Sequence, residues 1–248
     1  VTVGEHVGFV YKDSRGMNTG NIYNNNLRGA FTTSPLVPVY DANGNFNSTE
    51  SSDWNVNDGN PYGTMMMNRY NQSKSTSVDA NVYVQIEPIK NLKFKTVFAV
   101  NYGGSDYRSY SPVYKFTPQS GNGITKVSQS DGSGISLVWT NTLTYDFNIK
   151  EHHINALIGS ETSKYDGSSS GSTGYGLTAG FNDWDHAYVK NTDQSSSDRT
   201  ISGAPYNPTR GQSFFARLGW SWKDRYMVNA TMRADGSSKF ARGNRWGY

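Results

Sequence analysis

Few residues in this chain could do covalent or metal chemistry. None of the 248 residues is cysteine, which excludes a thiolate nucleophile, a zinc–thiolate site, an iron–sulfur cluster and a disulfide framework. Gly167-Ser-Ser-Ser-Gly171 has the letters of a nucleophile elbow, but it reads as part of a low-complexity loop, without the strand–turn–helix context the elbow needs. Asp41-Ala-Asn-Gly-Asn45 starts like a calcium loop, yet glycine is missing from the sixth position and glutamate from the twelfth, so the segment reads as a turn. His152 and His153 are adjacent, and in a strand they point to opposite faces and cannot share a metal. His6 and His186 have no ligand partners at a recognisable spacing. Gly174, Gly176 and Gly180 have neither the preceding strand nor the spacing of a dinucleotide site. Only five glutamates occur, and no carboxylate pair is spaced as a catalytic dyad. The chain reads as a non-enzyme, with no cofactor or metal expected. A net charge of +3, from 23 Lys+Arg against 20 Asp+Glu, is too dilute for a nucleic-acid footprint.

What remains is binding chemistry, and the elements that would present it are strands. From Val78, one face reads Val78, Ala80, Val82, Val84, Ile86 and the other Asp79, Asn81, Tyr83, Gln85, Glu87. This period of two marks a half-buried strand. The same alternation runs through Leu92–Tyr102, Leu137–Phe147, His153–Glu161, Phe214–Trp222 and Tyr226–Asp235, and more weakly through Val1–Tyr11. No segment keeps a helical period. Seven strands are expected, most of about 9–13 residues, near the length that crosses a bilayer as a tilted strand.

Short and long connections alternate between them. Pro88–Asn91, Lys150–His152 and Lys223–Asp224 are short; Asp13–Lys74, Gly104–Ile135 and Asp166–Gln212 are long. Short turns at one end and long loops at the other are how outer-membrane barrels are built. The composition agrees, with 30 Ser, 25 Asn, 26 Gly and 17 Tyr, 14% aromatic and only 17% charged residues. Mean hydropathy is −0.69, and no apolar run approaches the length of a transmembrane helix. Aromatics gather near strand ends at Tyr102, Tyr145, Phe147, Trp220, Trp222 and Tyr226, as in interfacial girdles. The competing fold is a water-soluble sandwich with these aromatics in its core. The polar faces carry Asp79, Glu87, Lys93, Lys95, Arg217, Arg233 and Asp235. They suit a wet or plugged lumen, hence a barrel wider than the small ones of about eight strands that side chains fill. Seven strands do not close such a barrel, so the chain is expected to be part of a longer protein.

Ser213–Tyr226 runs into Met227–Phe240 and then Asn244-Arg-Trp-Gly-Tyr248. This closely resembles the barrel hairpin of SusC/RagA-like TonB-dependent outer-membrane transporters of Bacteroidetes-type bacteria. Arg233, Asp235, Gly236, Ser237, Ser238, Phe240, Arg245, Trp246 and Gly247 fall on the positions of that motif. Ser34–Phe46, Asn91–Thr96, Asn141–Tyr145 and His153–Gly159 are weaker echoes. The resemblance implies an all-β fold, part of a large antiparallel transmembrane β-barrel of 22 strands, with residues 1–248 as a partial barrel domain. Signal peptide, TonB-contacting segment, plug domain and remaining strands would lie outside it. It implies active import of an oligosaccharide or oligopeptide across the outer membrane. Implied partners are TonB acting through the plug, a SusD-like surface lipoprotein, outer-membrane lipid, and a second such pair in a dimer. A passive porin-like channel and a secreted adhesin or lectin are the alternatives.

Within the motif, Asp235-Gly-Ser-Ser238 reads as turn or bulge chemistry, with Gly236 free to take a positive φ. Arg233 and Asp235 share the polar face and read as a structural clamp on the lumen wall. Ligand or partner contacts are expected on the long loops, at Trp54, Tyr175, Trp184 and Tyr188. Aromatic faces there suit sugar rings, and they equally suit packing of the loop onto itself or onto a partner.

Overall fold

The computed structural model describes residues 1–16, 25–48, 59–117, 120–223 and 225–248. In chain order the elements are β1 (Thr2–Ser14), α1 (Asn26–Thr32), α2 (Pro61–Met67), β2 (Asn71–Ile89), β3 (Leu92–Ser111), β4 (Tyr114–Lys115), β5 (Gly121–Asn122), β6 (Lys126–Ile149), β7 (His152–Tyr175), β8 (Thr200–Pro205), β9 (Thr209–Trp222), β10 (Tyr226–Ser237) and β11 (Trp246–Gly247). One antiparallel sheet has the order β1-β2-β3-β6-β7-β9-β10-β11, with β8 also beside β7, and β4–β5 is a separate hairpin. β8 and β9 are two pieces of one strand along the same edge of β7: Thr209 lies opposite Tyr165, and Pro205 opposite Ser168. The break is Tyr206-Asn207-Pro208, where a residue without an N–H would interrupt a ladder. Taken together, seven long strands build the sheet among the described residues, the number the alternation predicts.

The strands are longer than the alternation shows. β6 and β7 each have 24 residues. The expected loop Gly104–Ile135 therefore shrinks to 112–125, and Asp166–Tyr175 belongs to β7. Gly167–Gly171 sits inside β7 and not in a loop. These extensions are rich in Ser and Gly on both faces, so no apolar period betrays them; ladder pairing with the neighbouring strands holds them extended. Two short helices also interrupt the first long connection. Asn25 caps α1 by accepting from Leu27 and Arg28 N–H, and Asn60 caps α2 ahead of Pro61. At seven residues each, they are too short to print a helical period.

Each of the three short turns has a described residue with positive φ: Asn91 (66°), Lys150 (54°) and Lys223 (53°). Asn tolerates this region, whereas other side chains meet a cost of about 1–2 kcal/mol there. Pro88 lies where the β2–β3 register shifts between Ile86 and Ile89, and a bulge tolerates its missing N–H. Glu87 closes that turn by accepting from Asn91 N–H at 2.7 Å. The other two turns lean on each other through Lys223 Nζ and Glu151 Oε2, 3.1 Å apart. Asp224 lies outside the described residues.

The buried apolar cluster is Tyr110, Val127, Leu177, Ala187 and Val189, with Tyr70 and Trp184 packed against it. All of it sits at the long-loop end. Towards the short turns one face of the sheet is apolar and open: Phe98 is 43% exposed, Trp139 53% and Met232 73%.

Candidate functional site

Strand register sorts the side chains into two faces. Val78, Val82, Phe94, Phe98, Leu143, Ile158, Leu218 and Val228 fall on one face through successive pairings from β2 to β10. Asp79, Lys93, Lys95, Arg217 and Arg233 fall on the other. The division is the one the period of two predicts. On the apolar face Trp139 Nε1 donates to Thr96 Oγ1 at 2.9 Å.

Both ends of the apolar face are marked. Near the short turns, His152 stacks between Trp220 (5.7 Å) and Trp222 (6.2 Å), and Trp220 Nε1 donates to His152 Nδ1 at 3.1 Å. Tyr226 stacks on Trp222, and Tyr145 on Phe147. At the other end of β7, Asp166 holds Lys164 Nζ at 2.9 Å and Arg210 Nη1 at 3.1 Å. His153, on the opposite face from His152, contacts Asn148 and Asp146. Register also fixes the ends of the sheet. Ser14 opposite Ser73, Ser111 opposite Lys126 and Lys126 opposite Tyr175 put the long connections at one end. Ile89 opposite Leu92, Ile149 opposite His152 and Trp222 opposite Tyr226 put the short turns at the other.

The Arg233–Trp246 motif is a clip at the end of β10. Arg233 Nε donates to both Asp235 oxygens at 2.8 and 2.9 Å. Ser213 Oγ joins Asp235 at 2.6 Å, and Arg233 Nη2 also reaches Glu161 Oε1 at 3.8 Å on β7. The pair thus ties three strands together. The expected turn at Asp235-Gly-Ser-Ser238 is not where the sequence put it: β10 continues to Ser237, and Gly236 is absent from the positive-φ residues. Its missing side chain serves a close approach instead. A Cβ on Gly236 would stand 3.0 Å from the Trp246 indole, which also stacks on Phe214 at 6.0 Å. Ser237 N–H donates to Arg245 O, Ser238 Oγ accepts from Arg210 N–H, and Arg245 Nε donates to Phe240 O. Gly247 pairs with Asp235.

The long-loop aromatics are placed as follows. Trp184 stacks on Tyr70 at 6.2 Å, so two long connections touch each other. The Arg108 guanidinium lies 3.9 Å from the Trp184 ring centre and 4.3 Å from that of Tyr188. Val189 N–H donates to Gln129 Oε1 at 2.8 Å. Tyr175 ends β7, 5.8 Å from Lys126 Nζ. Trp54 lies outside the described residues. No spacing in the sequence points to Arg108 or Gln129, because their partners are some 60–80 positions away. On the loop tip, His186 Nδ1 stands 2.8 Å from Asp183 Oδ2, and this hydrogen bond holds the Asp183 carboxyl below its usual range. The Asp41 carboxylate accepts from the Asn43 and Asn45 N–H groups, each at 2.9 Å, which is the turn its sequence predicts.

No protein-family model matches the chain. It is 27% identical over 230 residues to a TonB-dependent receptor of Formosa agariphila, an alignment covering 88% of this chain and 21% of that protein. It is 54% identical over 35 residues to the TonB-dependent receptor SusC of Bacteroides thetaiotaomicron, covering 14% of this chain and 4% of that protein. The chain spans about a fifth of the length of the curated relatives it matches along most of its own length. Among solved structures, the RagAB peptide transporter matches with a TM-score of 0.75 and 22% identity over 99% of this chain and 27% of that one. The RagAB peptide importer in its open-open state gives 0.77 and 21%, over 99% and 26%. The resemblance to SusC/RagA-like TonB-dependent receptors is thus carried by these relatives along most of the chain, and the fold is that of a segment of the RagAB barrel.

Proposed function

We propose that this chain is part of the wall of an outer-membrane importer, residues 1–248 contributing seven strands to a TonB-dependent β-barrel. The apolar face meets lipid and the charged face lines the interior. One observation carries this reading: a sheet whose large apolar side chains from β2 to β10 share one face and stay exposed, while Asp79, Lys93, Lys95, Arg217 and Arg233 share the other. In water such a face would need a second layer, whereas a bilayer is its solvent. The aromatic ring around His152 then sits at the headgroup level of the short-turn side, which faces the periplasm. The long loops face outwards and meet cargo and a SusD-like surface lipoprotein. Tyr188, 44% exposed, keeps surface for such a contact, while Trp184 serves by anchoring the loop. Arg233 and Asp235 act as a structural clamp inside the wall. Cargo is an oligosaccharide or oligopeptide, and TonB drives import through a plug domain in the full-length protein. Pairs of barrel and lipoprotein assemble as dimers. No catalytic step is assigned to the chain.

The test is uptake by cells expressing the full-length protein, with and without TonB. Uptake that stops without TonB supports the proposal. Uptake that continues without it would make the protein a passive channel, and a full-length protein found only in the soluble secreted fraction would make it an adhesin.

A further inference from the structure

The polar face holds a groove that the transporter reading does not assign. About 550 Å³ of open volume lies on β2, β3 and β6, closed on one side by Tyr165 and Tyr206. The two rings are near-parallel, 10° apart in plane with centres 6.4 Å apart. They lie down on glycines. A Cβ on Gly134 would be 2.7 Å from Tyr165 Oη, and one on Gly167 would be 2.6 Å from Tyr206 Cδ2. The break between β8 and β9 puts Tyr206 there, fastened by its N–H to Gly167 O at 2.7 Å. Next to this platform the floor is open: a Cβ on Gly103 would meet nothing within 4 Å. Across the floor, Asp79 accepts from the Asn101 side chain. A carboxylate has about four lone-pair sites, so acceptor capacity is left for a ligand's hydroxyls.

We infer that this groove is a binding subsite on the import path, and that its ligand is a sugar ring of a neutral oligosaccharide. This rests on the transporter reading, in which the polar face lines the interior. Flat rings lying on the wall offer an apolar surface to the C–H face of a pyranose. Asp79, Asn101 and the serine hydroxyls of β2 and β3 take its hydroxyl groups. A peptide is the poorer fit, because among the described residues no cation lines the groove to meet its terminal carboxylate. A subsite of this kind, with few charges and an open floor, holds cargo weakly enough to release it onward.

The test uses the full-length transporter in detergent, with folding checked by the mobility shift on heating. The probes are cellohexaose, maltohexaose and a doubly capped hexapeptide of Gly and Ser. Gly103→Leu fills the open floor without shifting the sheet, and Tyr206→Ala removes half of the platform. Binding of at least one hexaose to the wild type is expected, weakened about tenfold in Tyr206→Ala by the loss of one stacked contact and at least as much in Gly103→Leu, whose side chain takes up the floor. Should only one variant fold, that one decides. Unchanged hexaose affinity, absence of hexaose binding, or a loss confined to the hexapeptide would overturn the inference. Uptake that requires TonB but is indifferent to both variants sinks the subsite alone, whereas uptake indifferent to TonB sinks the transporter reading.

Discussion

Placing an arginine on each face of β3 measures which face meets lipid. Phe98 and Ala99 are neighbours on β3, opposite Val82 and Asn81 of β2, and so on opposite faces. The apolar face of β3 runs from Leu92 to Tyr102. At about 3.4 Å per residue and a tilt of about 40°, that run spans about 26 Å of the membrane normal, close to the roughly 25 Å apolar band of such barrels. Phe98 lies within about 3 Å of its middle by the same rise and tilt. Phe98→Arg should therefore cost about 2–4 kcal/mol, the range for arginine at the bilayer midplane. Ala99→Arg points into the polar interior beside Asn81 and should cost less than about 1 kcal/mol. The assay is reversible folding of the full-length protein into liposomes, titrated with denaturant. Equal costs for the two variants, or a larger cost for Ala99→Arg, would refute the face assignment.

Asn91→Val should destabilise folding by about 1–2 kcal/mol in the same titration, because a β-branched residue is forced to φ 66° and loses the geometry closed by Glu87. A double-mutant cycle on Arg233→Ala and Asp235→Ala should return a coupling of about 0.5–1 kcal/mol, modest because both side chains are about half exposed. A coupling near zero would leave the clamp without energetic weight. Asp183, outside the membrane band, titrates below the ordinary 3.8 because of its hydrogen bond with His186. A depressed carboxylate favours the folded loop above that ordinary value, and the contribution is lost as pH falls through the lowered one. His186→Ala should move the Asp183 carboxyl back up, read by NMR of labelled aspartate; an unmoved titration would show that the contact does not form in solution.

The sequence by itself determined the strands wherever one face is apolar. Between Leu92 and Tyr102, or Phe214 and Trp222, only the extended conformation puts the large side chains on a single face, so period and strand are one fact. The same logic made the seven strands, the split of charges and the alternation of turns and loops legible. It could not reach Gly104–Ser111, Lys126–Gly134 or Asp166–Tyr175. There Ser and Gly dominate both faces, single apolar residues such as Tyr110 and Val127 set no period, and the strand exists because the ladder of its neighbour continues. Only the tertiary structure decided those extensions, the break at Tyr206, and the use of Gly236 and Gly134 as seats for aromatic rings. A glycine letter says that a close approach or a positive φ is permitted, and which of the two is realised depends on a partner from another strand. The same holds for the loop end. Arg108 meets Trp184 and Tyr188 across long stretches of chain, a contact set by where the strands stand and not by any spacing along the sequence.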